Sequence, residues 1–164
     1  MYLTFKIIKM DLGTALIGLL SIIICALPFV LSSRSTKKKE KELLLSLNGL
    51  AEKLHCNISE YEICGNYAIG IDEANKYVFF QLKNEEEIKS QFIDLSSIKK
   101  CNLINIGRSA NLIEHLNLEF ISSDKNKTNA NWEFYNSNVS IQLNGELQSI
   151  NKWHTLINDK LINK

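Results

Sequence analysis

The chain has 164 residues, 45% of them apolar, with one proline, four cysteines and a formal net charge of +1. That length accommodates one domain of ordinary size and not two. The composition excludes a collagen-like or Pro/Gly-rich chain, a disulfide-dense miniprotein and a wholly disordered chain.

After a short segment over 1–11, the run from Leu12 to Leu31, LGTALIGLLSIIICALPFVL, holds twenty residues without a charge. As a helix rising 1.5 Å per residue it reaches about 30 Å, the hydrocarbon thickness of a bilayer. The pattern predicts a transmembrane helix over 12–31. A cleaved signal peptide fits less well, because its apolar region spans about 7–15 residues. Lys6 and Lys9 precede the run, opposed by Asp11, whereas Arg34, Lys37, Lys38, Lys39 and Lys41 follow it within ten residues. The positive-inside bias therefore predicts an outside N-terminus and a cytoplasmic C-terminal part. The basic segment 32–42 is expected to contact the membrane surface through Arg34, Lys37, Lys38, Lys39 and Lys41. Anionic lipid headgroups would contribute about 1 kcal/mol per basic residue there.

A soluble domain is expected over 43–164. It opens with an amphipathic helix over 43–54, in which Leu43, Leu47, Leu50 and Leu54 form one stripe, widened by Leu44 and Ala51. Its leucine face is expected to pack on the domain that follows. From residue 66 to 143 the chain reads as short strands separated by turn clusters. They are expected at 66–72, 77–83, 90–96, 101–107, 112–122, 131–136 and 139–143. In 112–122 the alternation assigns Leu112, Glu114, Leu116, Leu118 and Phe120 to the core face. Asp72 to Lys76 form a polar hairpin connection, and 123–131 is the longest polar loop. The segment 146–162 repeats helical periodicity, with Leu147, Ile150, Trp153, His154, Ile157 and Leu161 along one stripe. At that spacing Trp153 is expected in the core rather than stacked on a ligand.

The chemistry-bearing residues do not converge in sequence. Cys56, Cys64 and Cys101 form no disulfide framework and match no common zinc spacing, and His55, His115 and His154 are scattered. No phosphate-binding glycine loop, nucleophile elbow, zinc-protease helix or kinase signature is present. Glu85, Glu86 and Glu87 read as a solvated turn. The expectation is a chain that is not an enzyme and has neither cofactor nor metal. Seventeen lysines against two arginines also argue against a nucleic-acid partner, since bidentate arginine contacts are nearly absent.

Seven short antiparallel strands followed by a helix carrying Trp153 resemble a pleckstrin-homology-like (PH-like) domain. The stretches YAIGIDEANKYVFF and FIDLSSIKKCNLI, within 66–162, are similar to bacterial PH-like domains on a single-pass anchor. The resemblance implies an α+β fold: a seven-strand barrel or sandwich capped by the C-terminal helix and acting as a binding module. The hairpin over 66–83 offers only Lys76 and Lys83 among Asp72, Glu73 and Glu85 to Glu87, against phosphoinositide binding. The combined expectation is a single-pass protein of a bacterial inner membrane. It would contact the lipid bilayer and present a non-catalytic PH-like domain to a cytoplasmic protein partner. The alternative is an extracytoplasmic α+β domain, secreted or anchored, that binds a small molecule between sheet and helix. A large apolar cavity there would favour the alternative, and a filled core the interaction module.

Overall fold

The computed structural model describes residues 12–84, 87–109, 112–124, 126–140 and 142–163. The chain divides into two compact units, Met1–Glu40 and Lys41–Lys164. Helix α1 (Leu12–Lys53) contributes residues to both.

In the first unit Leu16, Ile17, Leu19, Leu20, Ile22, Ile23 and Ile24 are exposed, and the Ser21 hydroxyl donates to the Ile17 carbonyl at 2.9 Å. Among the described residues no helix is long and apolar enough to cross a membrane. That finding overturns the transmembrane helix expected over 12–31. The single-pass membrane assignment and the inner-membrane location that followed from it fall with it. The uncharged run is not a helix of its own: α1 continues through Arg34 and the lysine cluster to Lys53.

The second unit holds the remainder of α1, seven strands among the described residues, and helix α2 (Glu146–Ile162). Strands β1 (Glu60–Cys64), β2 (Tyr67–Asp72), β3 (Tyr77–Asn84) and β4 (Glu87–Asp94) form one antiparallel sheet in chain order. Strands β5 (Ile98–Ser109), β6 (Leu112–Ser122) and β7 (Ala130–Asn136) form a second. The expected seven-strand barrel or sandwich is thereby corrected to two antiparallel sheets, of four and three strands among the described residues. The break lies between β4 and β5, where a single 3₁₀ turn, Leu95–Ser97, takes the chain from one sheet into the other. The Asp94 carboxylate caps that turn, accepting from Ser96 N at 2.8 Å and Ser96 Oγ at 2.5 Å. Among the described residues β4 pairs only with β3, and β5 only with β6. The strand set differs too. EYEIC at 60–64 is β1, absent from the sequence expectation, whereas the described residues of 139–143 lie in no strand. Val139 and Ser140 instead turn back onto the Asn136 carbonyl.

Two layers of packing explain the strand sequences. Tyr67, Ile69 and Ile71 of β2 enter the main core with Val78, Phe80, Ile93, Leu116, Leu118, Phe120, Trp132, Phe134, Ile150, Trp153 and Ile157. The opposite face of β2 and β3 carries Ala68 and Phe79 beneath Leu43, Leu47 and Ala51 of α1. β2 is therefore buried on both faces, and its outward positions must be small for the helix to seat. A Cβ on Gly70 would stand 3.2 Å from Leu47 Cδ2 and 3.0 Å from Ile58 Cγ2. The helix also ties to the sheet by an ion pair between Glu42 and Lys83 and by Gln81, buried, which donates to the Ser46 carbonyl at 3.3 Å. At its end His55 adopts φ +55°. Cys56 N donates to Ala51 O and His55 N to Glu52 O, the paired bonds that close a helix through a left-handed residue.

Candidate functional site

The main core is filled. Phe80 stacks on Trp132 with centroids 5.2 Å apart, Phe120 meets Trp132 at 4.6 Å, and Tyr67 meets Phe134 at 4.7 Å. Trp132 and Trp153 are among the largest fully buried side chains, so Trp153 belongs to the core. Its indole N–H is satisfied by the Glu62 carboxylate at 3.0 Å. Lys152 reaches the same carboxylate at 3.3 Å and Glu60 at 2.9 Å, with its ammonium 5.6 Å from the centre of the Trp153 ring. Those carboxylates hold the Lys152 ammonium above its ordinary pKa against the opposing effect of burial. This clasp fixes α2 to β1.

Beside the clasp, the outer face of α2 and the β2–β3 turn enclose an open groove of about 680 Å³, lined by Glu73, Asn151, Thr155, Leu156, Asp159 and Lys160 among others. A smaller cavity of about 240 Å³, reaching Ile71, Lys76 and Leu95, shares Glu73 and Lys160 with it. Lys160 pairs with Glu73 at 2.6 Å across this boundary. The turn that carries Glu73 is held by Asp72, which is 2% exposed. The Asp72 carboxylate accepts from Asn57 N at 2.7 Å, Asn75 N at 2.9 Å and Asn75 Nδ2 at 2.8 Å. Burial alone would raise its pKa. The N–H donors of Asn75, Asn57 and Ala74 outweigh burial, and the net shift is downward. The groove therefore carries both charge signs and an apolar strip at Leu156, suited to non-covalent recognition.

Other candidate residues lie elsewhere. Lys37, Lys38 and Lys41 are exposed on α1 and Lys39 is half-buried; the side chain of Arg34 lies outside the described residues, as do Glu85 and Glu86. Glu87 is the exposed first residue of β4. His115 stands 3.9 Å from Glu133 beside a cavity of about 360 Å³ that Tyr135 also lines. His154 is half-buried on α2, and its carbonyl accepts from Asn158 at 2.9 Å. Among the described residues no group of three or more His, Cys, Asp or Glu side chains could hold a metal ion. All four cysteines are free. Burial raises the Cys56 and Cys64 thiols and pushes Cys101 up to about 12, the reverse of an activated nucleophile.

Glu60 and Glu62 escape the sequence analysis, which places no strand before residue 66. The available signal was period-two alternation, with Glu60 and Glu62 on one face and Tyr61 and Ile63 on the other. The chain matches no protein-family model, no curated protein and no solved structure.

Proposed function

We propose that the unit Lys41–Lys164 is a non-catalytic, PH-like interaction domain that binds a protein partner through the groove between α2 and the β2–β3 turn. The observation that carries this reading is the contrast between a filled core and an open surface groove. Aromatic rings occupy the space between sheets and helix where a small-molecule pocket would lie, whereas the groove at Glu73, Thr155 and Lys160 faces solvent. Sheets of four and three antiparallel strands with a C-terminal helix support the PH-like resemblance. The arrangement of α2 adds to it: one face supplies Ile150, Trp153 and Ile157 to the core, leaving the opposite face for recognition.

A photo-crosslinking residue at Thr155, exposed and lining the groove, tests the reading in the full chain inside the producing cell. The expected result is a discrete covalent adduct with one protein, lost when Glu73→Lys and Lys160→Glu, which exchange the charges of the groove's ion pair, are introduced together. Absence of any protein adduct, with a small molecule co-purifying stoichiometrically in native mass spectrometry, would overturn it in favour of ligand binding.

A further inference from the structure

We infer that the free edge of β4 is a self-association surface, on which two copies of this chain pair antiparallel about Ser90 and join their four-stranded sheets. This surface is separate from the α2 groove.

Its basis is the unequal treatment of the sheet edges. An edge strand offers a row of unpaired N–H and C=O groups, and proteins usually blunt it. On β5 the side-chain amide of Asn158 does so: Cys101 N donates to Asn158 Oδ1 at 3.3 Å, and Asn158 Nδ2 donates to Cys101 O at 3.0 Å. On β1 only the Glu60 and Glu62 side chains reach α2, and among the described residues β1 and β7 also pair on one side alone. Among the described residues β4 pairs with β3 alone. Leu95 N donates to Lys76 O at 2.8 Å, which fixes the hydrogen-bonding phase of this ladder. The odd-numbered residues of β4 bond to β3, so the backbone groups of Ile88, Ser90 and Phe92 point away from the sheet.

Side chains select the occupant. Phe92 is 48% exposed, although it lies opposite Phe79 and beside Tyr77, their rings forming an aromatic row on the outer face of the sheet. A second β4 paired with Ser90 opposite the partner's Ser90 brings Ile88 opposite the partner's Phe92. The apolar side chains of both copies then meet on one face. The same register bonds the outward N–H and C=O groups of Ile88, Ser90 and Phe92, and sets Lys89 opposite the partner's Gln91. A shift of the register sum by two toward the N-terminus would place Lys89 against the partner's Lys89, which like-charge repulsion disfavours. EIKSQFID is thus complementary to itself in the register that sets Ser90 opposite the partner's Ser90, as a two-fold interface requires.

Sedimentation velocity of the full chain tests the inference, with Phe92→Glu and Ser90→Pro as variants. Phe92→Glu changes an exposed side chain. Ser90→Pro removes an N–H that points away from β3, although it also loses the 2.7 Å bond from Ser90 Oγ to Gln81. Circular dichroism melting identifies which variants stay folded, and Phe92→Glu is the decisive one. The expected result is a wild-type dimer and at least a tenfold rise in dissociation constant for Phe92→Glu. A wild type that stays monomeric at about 100 µM, and so has a dissociation constant well above that concentration, would overturn it. So would an oligomer that folded Phe92→Glu leaves intact, since the contact would then lie elsewhere.

Discussion

Asp72 shows how one buried charge organises a functional surface. It holds Asn57, which follows α1, and Asn75, within the turn that presents Glu73 to the groove. Because its folded pKa lies below the ordinary value of 3.8, the ionised form is the one the fold binds. The stabilisation is fully present above pH 4 and is lost as pH falls through the folded value. Asp72→Ala leaves these N–H groups without their acceptor and is expected to cost about 2–4 kcal/mol, from hydrogen bonds to a charged group. Urea unfolding at pH 7 measures that loss. The same titration repeated at falling pH should show the stability difference between wild type and variant shrinking. A parallel fall in both proteins would place the acid sensitivity on other groups.

At the scale of elements, what was legible in the sequence depended on whether one element's pattern reflected one environment. α2 declares itself because Ile150, Trp153 and Ile157 repeat at helical spacing against a single core. β6 does so by alternation from Leu116 to Phe120, whereas Leu112, expected on the core face, is exposed. β2 shows no such alternation, since α1 covers the face opposite the core, and only the small Ala68 and Gly70 record the helix above them. β1 escaped because its carboxylates satisfy Lys152 and the Trp153 indole, a long-range need with no local signature. The groove was equally illegible, being assembled from residues near 73 and near 155 that only folding brings together. Asn158 is another long-range device, closing the edge of β5 at Cys101. Asn158→Ala leaves that N–H and C=O to water and is expected to cost about 1–2 kcal/mol. Amide exchange at Cys101, read by NMR, should accelerate more than at Leu103, two residues further along β5. Equal acceleration at both would mean that the substitution loosens the whole sheet.

For the whole molecule, the net charge of +1 averages a split between +4 over 1–42 and −3 over 43–164, and the structure likewise divides into two units. The first exposes its described apolar side chains, whereas the second buries its own around Trp132 and Trp153. The free cysteines sample both environments: Cys25 is exposed, Cys56 and Cys64 are half-buried, and Cys101 is fully enclosed. Thiolate is the reactive form, so burial suppresses labelling both by blocking access and by holding Cys101 near pKa 12. Treatment of the native chain with a maleimide at pH 7.5 is expected to modify Cys25 first, then Cys56 and Cys64. Cys101 should remain unmodified until denaturant opens the core. Its labelling rate should then follow the cooperative unfolding of the second unit, with the same midpoint as tryptophan fluorescence from Trp132 and Trp153. Modification of Cys101 well below that midpoint would show that the seam between β5 and α2 opens locally, before the sheets separate.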